Sequence, residues 1–69
     1  MSNSTINLLQ SNIKKYRKEK GITQLRLSVL TGLSKDYIVA IECGRRVPSI
    51  KRLILIASAL NIEIYKFFI

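Results

Sequence analysis

An all-α domain is what this sequence predicts, on three observations. Apolar residues recur at helical spacings of three and four, and Ser or Thr stands ahead of several of those runs, where an N-cap hydroxyl belongs. Glycine then follows them, where a left-handed residue ends a helix. With 69 residues and 48% hydrophobic content, the chain is sized for one domain, near the lower limit at which a single core holds without disulfide or metal. No internal repeat, low-complexity tract or linker interrupts it.

Taken in order, residues 1–6 are polar and are expected to form a flexible N-terminal arm, with the domain occupying 7–69. A first helix is expected from about Asn7 to Lys20, with Leu9, Ile13 and Tyr16 inward and Lys14, Lys15, Arg17 and Lys18 clustered between them. Gly21 stops it. Thr23 offers the next N-cap, for a helix over 24–31 anchored by Leu27, with Ser28 small enough for another helix to cross closely. Leu25, Val29 and Leu30 read as scattered surface hydrophobes.

Ser34 caps a third helix, over 34–42, and Gly44 suits the left-handed position beyond its end. Leu33, Ile38 and Ile41 share one buried stripe, whereas Lys35, Asp36, Val39 and Ala40 are spaced to point away from it. A helix that shows only small and charged groups outward can lie deep in a groove. After the loop from Cys43 to Pro48, Ser49 caps the most hydrophobic helix of the chain, carrying Ile50, Leu53, Ile54, Ile56, Ala57 and Leu60. Apolar on more than one side, it is either central or packed against a second molecule. The tail from Ile62 to Ile69 is ambiguous between strand and helix on composition, and is read as a short helix from Glu63 to Phe68.

Twelve Lys and Arg against four Asp and Glu give a formal charge of +8. So strong a field implies an anionic partner: nucleic acid first, an anionic membrane surface second. The basic residues lie on several helices and not along one amphipathic face, which argues against the membrane. The single cysteine, Cys43, excludes an intramolecular disulfide, and the absence of His leaves no zinc constellation. No metal, cofactor or small-molecule ligand is therefore expected, and the implied setting is a reducing cytoplasm. The first residues lack the pattern of a signal peptide, and no apolar run approaches the ~20 residues needed to span a bilayer. With no glycine-rich phosphate loop and four dispersed carboxylates, an enzyme is not expected.

Two short helices joined by a tight glycine-containing turn and crossing steeply make a helix-turn-helix unit, here over 23–43. Its markers are Gln24 at the opening, Ser28 at the crossing, Gly32 in the turn, and Ile38 with Ile41 burying the second helix. Together with Arg17-Lys18-Glu19-Lys20-Gly21-Ile22-Thr23-Gln24, Thr31-Gly32-Leu33-Ser34, Tyr37-Ile38, Ile41-Glu42, Gly44-Arg45-Arg46, Pro48-Ser49, Leu53, Ile56-Ala57 and Leu60, they make the chain resemble the lambda-repressor-like, Cro-like (XRE) helix-turn-helix family. The resemblance covers about residues 8–68. Within the family, length and charge are most similar to the short stand-alone regulators, among them restriction-modification controller proteins and small phage repressors.

That resemblance implies a compact five-helix lambda-repressor-like bundle acting as a sequence-specific, double-stranded-DNA-binding transcription regulator, a homodimer on a palindromic operator. It implies base contacts for Lys35, Asp36, Val39 and Ala40, and backbone or adjacent-groove contacts for Gln24, Ser34, Tyr37, Arg45 and Arg46. It also implies a buried ion pair between Arg17 and Glu42. The chain departs from the family pattern at Ser28, where Ala is common, at Val39, where a polar residue is frequent, and at Cys43, where a basic or amide side chain often touches phosphate. The apolar tail exceeds what one small core needs, so Ile62, Ile64, Tyr65, Phe68 and Ile69 are assigned to a symmetric interface with the outward side of the 49–61 helix. The competing class is a protein-interaction module, such as the antitoxin of a toxin pair, using Leu25, Val29 and Leu30 or the aromatic tail.

Overall fold

The computed structural model describes residues 4–69. It contains four α-helices, α1 (Ser4–Glu19), α2 (Gln24–Thr31), α3 (Lys35–Glu42) and α4 (Ile50–Leu60), followed by a 3-10 turn over Ile64–Phe68, and no strand among the described residues. Three of the helices start where a hydroxyl was expected. Thr23, Ser34 and Ser49 each accept a backbone N–H three residues on, from Arg26 at 3.0 Å, Tyr37 at 3.0 Å and Arg52 at 3.3 Å. Gly32 at φ 74 ends α2, and its N–H returns to the Ser28 carbonyl.

Three expectations are corrected. The fifth helix is a five-residue 3-10 turn: Glu63 precedes it in extended backbone without a side-chain cap, and the Lys66 N–H reaches back only three residues, to the Glu63 carbonyl at 3.0 Å. So short a segment has no room to repay helix nucleation, and i to i+3 bonds are what remain to it. The expected arm of 1–6 fails at residues 4–6. Ser4, Thr5 and Ile6 form the first turn of α1, since no breaker separates them from the apolar Leu8 and Leu9, and residues 1–3 lie outside the described residues. Finally, Ala40 is buried rather than outward, at 7% exposure.

The core is built by Leu9 and Ile13 of α1, Leu27 of α2, Tyr37, Ile38 and Ile41 of α3, Leu53, Ile56, Ala57 and Leu60 of α4, and Phe67 of the 3-10 turn. Ile13, Leu27, Ile56 and Phe67 are completely enclosed. Each such side chain contributes roughly 1.5–3 kcal/mol, far more than the propensity of an eight-residue helix, so packing decides that α2 and α3 exist at all. Phe67 meets Tyr16 edge to face at 6.0 Å between ring centroids. Beside it, the Asn12 amide donates to the carbonyls of Phe67 at 2.9 Å and Ile69 at 3.2 Å, fastening the end of the chain to α1.

One polar group ties α1 to the motif. The Arg17 Nε donates to Glu42 Oε2 at 2.6 Å and its Nη2 to Oε1 at 3.0 Å, while Nη1 donates to the Ile22 carbonyl at 2.7 Å. Both side chains are buried, at 8% and 3% exposure, and no buried side-chain nitrogen or oxygen among the described residues lacks a partner. Removing one member strands the other charge in the core. Glu42→Ala is therefore expected to lower unfolding free energy by about 3–5 kcal/mol in a urea titration, with Arg17→Met, Glu42→Leu together recovering much of it.

Candidate nucleic-acid interface

The turn between α2 and α3 presents the start of α3 to solvent. Gly32 supplies the left-handed residue, and Thr31 Oγ1 both donates to the Leu27 carbonyl at 2.8 Å and accepts the Leu33 N–H at 3.2 Å. Ser28, buried where the helices cross, satisfies its hydroxyl on the Leu25 carbonyl at 2.7 Å. Ile38 and Ile41 are driven inward, which leaves Lys35 and Asp36 exposed on the opposite edge and Val39 half-buried beside them. Neither the Lys35 nor the Asp36 side chain makes a hydrogen bond or an ion pair among the described residues. Ser34 is exposed, with its Oγ occupied in capping the helix.

The loop after α3 is anchored on the Ala40 carbonyl. The N–H groups of Arg45 and Arg46 both donate to the Ala40 carbonyl, at 2.8 and 3.2 Å, folding the chain back over the end of the helix. The Gln10 amide, buried on α1, then holds the Arg46 carbonyl at 2.8 Å. Arg45 and Arg46 consequently leave a fixed loop and remain exposed.

Tyr37 is buried, and its ring carries two cations: the Arg46 guanidinium lies 5.1 Å from the centroid and that of Arg52, on α4, 4.7 Å. An open groove of about 440 Å³ runs past this ring, lined by Gly32, Leu33, Ser34, Asp36, Tyr37, Ala40, Arg46 and Arg52. It joins the positive N-terminal end of α3 to the two arginines.

Gln24 points its amide inward. Its Nε2 donates to Glu42 Oε1 at 3.0 Å, so one of the two hydrogens expected to serve a phosphate is used to complete the buried ion pair. In the tail, Tyr65, Phe68 and Ile69 are exposed, whereas Ile62 and Ile64 are half-buried against the core. Sequence reasoning missed Gln10, Asn12 and Arg52. The first two stand at apolar-periodic positions of α1, and a polar residue recurring on a core face is the signal that marks them. The third sits in the first turn of a helix, where a basic residue opposes the dipole.

Cys43 is exposed, and the Arg45 Nε donates to its Sγ at 3.0 Å. That hydrogen bond, favouring the thiolate, draws the Cys43 pKa below the ordinary thiol value and in turn raises that of Arg45.

The fold and this surface define a helix-turn-helix protein. The family model described as Helix-turn-helix matches residues 13–67, and the chain belongs to that family of DNA-binding transcription regulators. An uncharacterized HTH-type transcriptional regulator, y4dJ of Sinorhizobium fredii, is 38% identical to it over 81% of this chain and 73% of its own. The restriction-modification controller protein C.AhdI from Aeromonas hydrophila superposes with a TM-score of 0.88 at 29% identity, covering 94% of this chain and 98% of its own. The wild-type controller protein C.Esp1396I does so at 0.85 and 38% identity, over 93% of this chain and 84% of its own. No helix among the described residues is long and apolar enough to cross a membrane.

The arginine contact at Cys43 has a measurable consequence. The rate of iodoacetamide alkylation is expected to rise with pH through a midpoint below that of a free thiol. Arg45→Ala, which removes the donor, moves that midpoint upward. An unchanged midpoint in the variant would show that the contact does not govern the thiol.

Proposed function

We propose that this chain is a homodimeric regulator of the restriction-modification controller type, reading a palindromic double-stranded DNA operator with α3 in the major groove. The observation that carries the reading is the outward edge of α3, where the Lys35 and Asp36 side chains are exposed and without hydrogen bond or ion pair among the described residues. They stand beside Arg45 and Arg46 on a protein of charge +8. Lys35 donates to guanine O6 or N7, Asp36 accepts from cytosine N4, and Val39 offers a methyl to thymine. Ser34, Arg45, Arg46 and the remaining amide hydrogen of Gln24 meet the backbone, with Tyr37 bearing on it through the arginines on its ring.

Dimerisation is supported by apolar surface left over after the core is filled. Ile50 and Ile54 of α4 and Tyr65, Phe68 and Ile69 of the neighbouring tail are exposed. A two-fold pair sets its recognition helices about 34 Å apart, on successive major grooves of one face of the duplex.

Selection from random duplexes is the direct test. The expected product is an inverted repeat with half-sites one helical turn apart, and the absence of any enriched sequence would overturn the reading. On the selected site, Lys35→Ala is expected to relax preference at one position per half-site. Arg45→Ala is expected to weaken selected and scrambled duplexes alike. In sedimentation, mass is expected to rise from monomer to dimer with concentration, and a constant monomer mass would remove the symmetric interface.

A further inference from the structure

We propose that Asn12 of α1 is a positioning residue for operator spacing: by fixing the tail against its own α1, it sets the separation and rotation at which two paired copies hold their α3 helices. The proposal rests on the two-fold DNA reading above. It gives the choice of half-site spacing to a buried residue that belongs neither to the α3 edge nor to the exposed apolar surface.

The tail does not inherit its direction from α4. Asn61 turns left-handed at φ 54, and the Ile62 N–H closes the helix on the Ala57 carbonyl at 2.9 Å, so the chain leaves the axis of α4 before the 3-10 turn begins. From Glu63 onward, the hydrogen bonds that join the tail to the rest of the described residues are the two from the Asn12 amide, to the carbonyls of Phe67 at 2.9 Å and Ile69 at 3.2 Å. The other attachment is apolar: Phe67, wholly enclosed and edge-on to Tyr16, with Ile64 half-buried against the core. Apolar contact is non-directional, so one enclosed ring acts as a pivot. Two carbonyls two residues apart define a line as well as a point, and a planar amide with both hydrogens engaged fixes that line relative to α1. Arg17 and Glu42 in turn lock α1 to α3. Directional contacts therefore run unbroken from the tail to the recognition helix.

The lever is long enough for this to matter. Recognition helices about 34 Å apart stand about 17 Å from the two-fold axis. One added base pair separates the half-sites by about 3.4 Å and turns them by about 34–36° relative to each other, of which each copy takes half. A tail that swings by about 17° on its own α1 is thus enough to fit the wrong spacer. Ile50 and Ile54 of α4 offer an apolar seam about which two copies can rock. Tyr65, Phe68 and Ile69 beside it stop the rocking only if the tail itself is held.

Two measurements test the assignment. The first uses the selected inverted repeat and versions with the spacer one base pair shorter or longer. The parent is expected to lose affinity several-fold on both altered spacers. Asn12→Leu, which keeps a side chain of similar shape and removes both donors, is expected to bind the three spacers with nearly equal affinity while its base preference within each half-site is unchanged. A protein that is merely less stable would lose affinity by one common factor and keep the ratio. The second places a nitroxide on Cys43, the single and exposed cysteine. Dipolar spectroscopy of the DNA-free dimer is expected to give a narrow distance distribution for the parent and a broader one around the same centre for Asn12→Leu. If Asn12→Leu does not fold, Asn12→Ser, with one short donor for two carbonyls, is expected to give the same two results.

A folded, dimeric Asn12 variant with the parent's spacer ratio and distance width overturns the assignment while the two-fold reading stands. A parent dimer indifferent to spacer length does the same, as does loss of folding or of pairing in both variants. A parent that stays monomeric on and off DNA removes the two-fold reading and this inference with it.

Discussion

The guanidinium of Arg17 is the point on which the arrangement of the motif turns. It reaches both oxygens of Glu42 at the end of α3 and the carbonyl of Ile22 ahead of α2, while Gln24 at the start of α2 closes on the same carboxylate. Three elements thus share one polar node. Two helices of eight residues have little stability of their own, and their apolar contacts are non-directional. A rigid planar fork with three acceptors tolerates few geometries, so it selects one crossing of α2 and α3 among those that Leu27, Ile38 and Ile41 would allow. Its net contribution to stability is small beside what its disruption would forfeit, which is the behaviour of a register-setting buried pair.

The second constraint acts at the other end of α3. The Ala40 carbonyl takes two N–H groups of the returning loop, and Gln10 takes the carbonyl of Arg46. Backbone that would have been left free at a helix end is satisfied by chain from outside the helix. The loop arginines therefore start from a fixed backbone, and the long side chains need order only their own rotamers.

Local chemistry was legible in the sequence, and distant chemistry was not. Thr23, Ser34 and Ser49 announce helix starts because a cap bond spans three residues, and Gly32 announces the turn because its φ of 74 is open to few other residues. The Arg17 and Glu42 pair is 25 residues apart in sequence and was available only through resemblance to a family. Asn12 to Phe67 spans 55 residues, and no periodicity encodes it. The C-terminal turn was misjudged as a helix because its β-branched and aromatic side chains report burial, not hydrogen-bond pattern. Arg52 looked like any solvated charge until the fold laid it on Tyr37.

The distribution of polar groups over α3 bears on how such a surface discriminates. Its exposed edge offers hydrogen-bonding side chains only at Lys35 and Asp36; Val39 has none to give, and Ala40 is covered. On the proposed reading each correct base contact is worth about 1–3 kcal/mol, so one protomer would separate right from wrong sequence by only a few. The positive charge that surrounds this edge would act on phosphates and raise the affinity for every duplex equally. A single copy would therefore be held on bulk DNA nearly as well as on its site. Two copies in fixed two-fold register add their base contacts on one palindrome, and discrimination free energies at well-separated positions sum. On the proposed reading, the apolar surplus on α4 and the tail is thus the counterpart of the sparse chemistry on α3: the fewer bases one helix reads, the more the recognition depends on pairing it with another.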